Sequence, residues 1–150
     1  MKKILIIDDD PDCREGLKNL LERAGYAVEV AEDGLEGMAT FRNHPADVVI
    51  TDIIMPRMDG LETIRAIRTQ KTDQPHIIAI SGGSLHLNPS FSLKSAGLIG
   101  ADRALEKPFS REQLIGAIEG CIDLEGSEST YRGHFEDTAD LDSVHVATVE

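Results

Sequence analysis

Short apolar runs recur along this chain, and helix-like periods fill the gaps between them. The runs cover residues 4–7, 27–31, 48–51, 77–80 and 101–105. Most are rich in Ile and Val and uninterrupted rather than alternating, the pattern of parallel strands buried on both faces. Between them, Leu17, Leu20, Leu21 and Ala24 fall on one helical face, with Gly25 as a stop. A second helix starts at Leu35, Met38 and Ala39 and ends before Pro45, and Leu61, Ile64 and Ile67 mark a third. A fourth is expected between Pro89 and Ala96. The last carries Leu114, Ile115, Ile118, Cys121 and Ile122, with Ser110 as its N-cap and Gln113 three residues on. A βα unit repeated five times, with right-handed crossovers, predicts an α/β fold: a doubly wound five-stranded parallel sheet with helices on both faces. In such sheets the working site lies beyond the carboxyl ends of the strands.

Charge and cysteine usage narrow the function classes. The chain of 150 residues holds 27 Asp+Glu against 15 Lys+Arg, a net charge of −12, which argues against direct binding to nucleic acid or to an anionic membrane surface. The N-terminal apolar run meets Asp8 too soon for a signal peptide, and no run approaches the length of a membrane span. Two cysteines, Cys13 and Cys121, lack metal-ligand spacing and fall toward opposite ends of the fold. Free thiols and a cytoplasmic location are the expectation. The ordered pattern stops near Leu124. Residues 125–150 hold seven acids and one base, half of the net charge. The predicted organisation is one domain over 1–124 and an acidic, disordered tail over 125–150, with a short strand near Val144 to Val149 as the competing reading.

The strand ends carry the chemistry. Asp8, Asp9 and Asp10 follow the first run, Asp52 the third, Ser81 the fourth and Lys107 the fifth. With strands one, three, four and five side by side, these ends converge. Clustered carboxylates repel one another unless a cation intervenes. Their hard oxygens suit Mg²⁺ or another divalent cation. Mg²⁺ and Lys107 together balance Asp8, Asp9 and Asp52. The balanced pocket can then accept a phosphoryl group, with Asp52 as nucleophile and Ser81 as hydrogen-bond donor. Each feature alone is weak, since Asp10 or Asp12 can be a helix cap and Ser81 before Gly82-Gly83 can begin a turn. Their joint placement is the signal. His44 and His76 read as surface residues.

Four stretches carry a family likeness: residues 4–10, residues 52–60 (Asp-Ile-Ile-Met-Pro-Arg-Met-Asp-Gly), Ser81-Gly82, and Lys107-Pro108-Phe109. On them the chain resembles a response-regulator receiver domain of two-component signalling, of the stand-alone kind similar to the chemotaxis response regulator. The resemblance covers about residues 2–123. It implies a flavodoxin-like receiver fold with strand order 2-1-3-4-5 and a phospho-acceptor at Asp52 served by a histidine kinase or phosphotransfer protein. It implies Mg²⁺ held by Asp9, Asp52 and the backbone carbonyl of Ile54, with Asp8 bound directly or through water. It further implies Ser81 and Lys107 as phosphoryl-sensing groups and a cis Lys107–Pro108 peptide. Output would pass to an unidentified protein target, with no output domain in the chain; dimerisation is left open.

Three departures from the family stand out. The aromatic that commonly sits three residues before the lysine is replaced by Ala104. The stretch from Gly83 to Gly100 is longer than usual and reads as a mobile loop. Ile54 and Gly83, two residues after Asp52 and Ser81, offer no polar side chain to orient water, which predicts slow loss of the phosphoryl group. Competing functions fare worse. An aspartyl-phosphate phosphatase of similar topology wants an acid where Ile54 stands. A flavin-binding domain wants Ser/Thr where Asp8-Asp9-Asp10 stands. A degenerate receiver acting only as a protein-binding module is the remaining alternative.

Overall fold

The computed structural model describes residues 1–55, 57–82 and 96–123. The elements run β1 (Lys3–Ile7), α1 (Pro11–Arg23), β2 (Ala27–Ala31), α2 (Gly34–Asn43), β3 (Val48–Asp52), α3 (Gly60–Arg68), β4 (His76–Ser81), a helical turn α4 (residues 96–98), β5 (Arg103–Glu106) and α5 (Arg111–Asp123). All strand pairings are parallel, and the sheet order is β2-β1-β3-β4-β5. This is a doubly wound, flavodoxin-like α/β architecture, in the strand order that the resemblance implied. The tail 125–150, the expected strand near Val144, most of the loop expected from Gly83 to Gly100 and all but the last residue of the helix expected between Pro89 and Ala96 lie outside the described residues.

Successive strand residues point to opposite faces, so each run feeds two cores. Ile4, Ile6, Val48, Ile50, Ile78, Ile80 and Leu105 pack under α1 and α5, against Leu17, Leu21, Leu114 and Ile118. Leu5, Ile7, Val49, Ile77, Ala79 and Ala104 pack under α2 and α3, against Met38, Phe41, Ile64 and Ile67. One expectation needs correction here: β2 is not buried on both faces but half-buried over most of its length. Among the described residues it is an edge strand, with only β1 beside it.

Local chemistry sets the helix ends. Asp10 caps α1, Asp33 caps α2, and Asp59 forms a reciprocal capping box with Glu62 on α3. On α5, Ser110 Oγ accepts from the Gln113 N–H at 3.0 Å, and Gln113 Oε1 accepts from the Ser110 N–H at 2.8 Å. After α1 the chain reverses through Gly25 at φ 101°, a conformation that favours glycine.

The end of the sheet remote from the predicted site is tied by one arginine. Arg68, at the end of α3, donates to the carbonyls of Gly100 (2.9 Å) and Pro75 (2.8 Å), to Gln74 Oε1 (2.8 Å) and to Asp102 Oδ2 (2.8 Å). Asp102 also accepts from the Ile77 N–H at 2.8 Å, which joins the start of β4 to the approach to β5. This corrects two expectations. Ala101 and Asp102 precede β5 rather than begin it. His76 is not a surface residue: its side chain is 13% exposed, with Nδ1 4.0 Å from Asp102.

Candidate functional site

Two strand ends and two turns build the site. Asp8 and Asp9 follow β1, Asp52 and Ser81 are the last residues of β3 and β4, and Lys107 follows β5. Ser81 stands opposite Glu106 in the β4–β5 register, and its carbonyl accepts from the Lys107 N–H at 2.8 Å. That bond seats the lysine beside β4. Asp8, Asp52 and Ser81 are buried, while Asp9 is exposed.

The carboxylates converge as expected. One oxygen each from Asp8, Asp9 and Asp52 lie within 4.8 Å of one another. Lys107 Nζ is 3.0 Å from Asp52 Oδ2 and 3.3 Å from Asp8 Oδ2. Three anions against one cation leave a deficit of two charges, which a divalent cation neutralises. The donor set, all carboxylate oxygen on a rim open at Asp9, fits a hard cation that keeps part of its water. The residues present therefore suit Mg²⁺.

Backbone donors orient the acids. The Ile54 N–H donates to Asp52 Oδ1 at 3.2 Å, and the Asp10 N–H donates to Asp8 Oδ1 at 2.9 Å. Asp10 itself accepts from Asp12 and Cys13 as the α1 cap, so it serves the helix and not the cluster. The Lys107–Pro108 peptide is cis, as the resemblance implied. Two glycines allow close approach. A β-carbon on Gly60 would overlap the Asp52 carbonyl oxygen and lie 2.6 Å from Ile53 Cα. One on Gly82 would lie 3.0 Å from Lys107 Cδ. Gly83 lies outside the described residues.

Burial raises the Asp52 pKa; Lys107 pulls it back and Asp8 adds to the rise, leaving the group above the ordinary carboxylate value. For Lys107, burial disfavours the cation, but Asp52 and Asp8 outweigh it, and the ammonium is held more firmly than usual. Cys13 lies beside the cluster. Burial first, and then the Asp8 carboxylate, push its thiol up to about 11. Cys13 and Cys121 are both free, as expected.

Sequence reasoning missed two groups that shape the site. Arg14 Nη1 donates to the Asp8 carbonyl at 2.7 Å, pinning the peptide between the first two acids. A cation in the first turns of a helix opposes the helix dipole, and that oddity was the available signal. Arg57, in the turn after β3, pairs with the buried Asp33 of the next turn. Beside Lys107 a groove of about 820 Å³ runs past Gly82, Phe109 and Ser110 to Leu17 and Leu20 of α1.

Comparisons with known proteins agree with this geometry. The family model described as "Response regulator receiver domain" matches residues 4–119. The response regulator MprA of Mycobacterium sp. (strain KMS) is 39% identical over 121 residues, covering 80% of this chain and 50% of that protein. The chain thus spans about half the length of the curated relatives it matches. Among solved structures, a response regulator receiver domain protein from Clostridium thermocellum superposes with a TM-score of 0.76 at 32% identity, covering 85% of this chain and 98% of that one. The chemotaxis protein CheY4 of Vibrio cholerae gives a TM-score of 0.72 at 32% identity, covering 81% and 98%.

Proposed function

Since the chain belongs to the response-regulator receiver family, we propose that it is a phosphorylation-dependent signalling switch whose acceptor is Asp52. The domain would span residues 1–124, with 125–150 as an acidic tail. The donor is a histidine kinase or phosphotransfer protein, approaching along the groove beside Lys107. The output is contact with a protein target, since the net charge of −12 disfavours DNA. The observation that carries this reading is the convergence of Asp8, Asp9 and Asp52 within 4.8 Å, with Lys107 Nζ 3.0 Å from Asp52.

The residues divide the work. Asp52 presents a carboxylate oxygen to the phosphorus while the donor's bond to it breaks. The Ile54 N–H at 3.2 Å holds the other oxygen and fixes the angle of attack. Lys107 neutralises charge on the incoming phosphoryl oxygens, and Ser81 supplies a hydroxyl at the neighbouring strand end. Asp8, Asp9, Asp52 and the Ile54 carbonyl would hold Mg²⁺, which when bound shields the three acids and stabilises the charge on the transferred group. Modification replaces one buried anion by a larger, doubly charged one. A partner that binds one of the two states better then shifts the equilibrium.

The test is incubation with Mg²⁺ and acetyl phosphate followed by intact mass. One added phosphoryl group in the parent, and none in Asp52→Asn, supports the reading. No gain in the parent leaves a protein-binding module without phosphoryl chemistry.

A further inference from the structure

The turn after β3 carries the backbone carbonyl assigned to the metal, and its fixing points are unequal. At its start the Ile53 N–H donates to the Ile80 carbonyl at 2.9 Å. At its end the Gly60 N–H donates to the Ile53 carbonyl at 2.8 Å, and Asp59 caps α3. The middle is gripped from a different turn, the one between β2 and α2. There the Gly34 N–H donates to the Met58 carbonyl at 3.1 Å, and Arg57 pairs with Asp33.

Arg57 stands in the left-handed region, at φ 63°. A residue with a β-carbon is disfavoured there, and surrounding contacts must hold it in place. Glycine would adopt this backbone freely, so what arginine adds is its guanidinium. Its partner is unusual as well. The Asp33 side chain is 2% exposed, against 59% for Arg57. Asp33 Oδ1 is committed to the Glu36 N–H at 2.9 Å, as the α2 cap. Oδ2 faces Arg57, whose other acidic neighbour is Glu32 at 3.6 Å. A buried carboxylate is costly without a cation, so Asp33 holds the guanidinium and, through it, the strained residue. Gly34 leaves no slack, since a β-carbon on it would overlap Met58 and Thr63.

We propose that Asp33 and Arg57 are positioning residues for divalent-cation binding: an ion pair between two turns that fixes the β3–α3 loop and hence the Ile54 carbonyl. The inference rests on the receiver reading above. It predicts that a pair which touches no metal nonetheless sets metal affinity.

The experiment measures the Mg²⁺ dissociation constant of the full, unphosphorylated chain by calorimetry. The variants are Asp33→Asn, Arg57→Gly, Arg57→Lys and the double change Asp33→Asn with Arg57→Gly. Circular dichroism and a urea midpoint are recorded for each. Asp33→Asn and Arg57→Gly are each expected to weaken Mg²⁺ binding about tenfold, the low end for loss of a group that orients a ligand. Arg57→Lys keeps the cation and restores most of the affinity. The double variant binds no more weakly than either single one, because both remove one interaction. Arg57→Gly relieves backbone strain but leaves the buried Asp33 carboxylate without this cation; the double variant removes both charges and keeps the test open if either single variant does not fold. A purely structural pair would lower the urea midpoint and leave the dissociation constant unchanged; that outcome overturns the proposal, as do additive losses. A parent that binds no Mg²⁺ overturns the receiver reading beneath it and is told apart by that fact.

Discussion

Replacing Asp52 by Asn removes an ion pair, yet it is expected to stabilise the metal-free protein. Lys107 Nζ at 3.0 Å from Asp52 contributes an attraction of about 5–6 kcal/mol at an effective dielectric constant of about 20. Asp8, with an oxygen within 4.8 Å of that of Asp52, repels it by at least about 3.5 kcal/mol on the same scale, and the exposed Asp9 adds a smaller, solvent-screened share. Attraction and repulsion nearly cancel, so burial decides, and it opposes the charge. The pKa of Asp52 accordingly stands above its ordinary 3.8 in the folded protein. The folded state then binds this proton more tightly than the unfolded chain. Stability from the group is fully present below the unfolded pKa and is lost as pH rises through the folded one. At pH 7 the ionised carboxylate works against folding, and Asp52→Asn should gain about 1–2 kcal/mol, the residue of a several-kcal/mol burial cost after partial pairing. The chain has no Trp, so urea unfolding in EDTA is followed by far-ultraviolet circular dichroism. The margin should shrink on lowering the pH toward 4, and Mg²⁺ should raise the midpoint of the parent but not of the variant. A variant less stable than the parent at pH 7 in EDTA, or a margin indifferent to pH, refutes the reasoning.

Four further outcomes are expected. Gly60→Ala gains helix propensity of about 1 kcal/mol, but its β-carbon meets the Asp52–Ile53 backbone; a net loss of about 2 kcal/mol in urea follows, and a gain would overturn the packing argument. Arg68→Ala cuts the four bonds that tie α3 to Gln74, Pro75, Gly100 and Asp102 and should cost about 3 kcal/mol; a loss below about 1 kcal/mol contradicts the clamp. Ile54→Asn puts a polar side chain at a position 38% exposed beside Asp52; it should speed loss of the phosphoryl group several-fold by intact-mass decay, and unchanged decay counts against the idea. The Cys13 thiol at about 11, against an ordinary 9.0, should react with iodoacetamide at pH 8 about a hundredfold more slowly than a free thiol; parity would refute the assigned burial.

Legibility followed the range of the forces involved. Local signals read well: the caps at Asp10 and Ser110, the stop at Gly25, and the span 27–31, which is β2 to the residue. Asp8, Asp9, Asp52 and Lys107 could be grouped because topology, not fine geometry, brings strand ends together. What escaped was pairing between residues far apart in sequence. Asp102 looked like the second residue of a strand, but it serves Arg68 and Ile77, which lie 34 and 25 residues away. Arg57 and Asp33 lie in two different turns, each unremarkable by itself. The half-buried state of β2 does not show in its composition, but it follows from the strand order 2-1-3-4-5 that the resemblance implied, which puts this strand at an edge.

The wall of the sheet behind β4 and β5 is made of methyl groups. Ala79 stands opposite Ala104 in the strand register, and Ala96 and Ala101 complete the patch, each at most 1% exposed. A methyl side chain has no rotamers and loses no rotamer freedom on burial. It therefore has only one state and can store no bit of information. A ring at position 104 would have two addresses, in and out, that a partner could read; this wall has none. Among these four alanines, a binary record cannot be kept in a side-chain rotamer; it would have to be written in the main chain or in their neighbours.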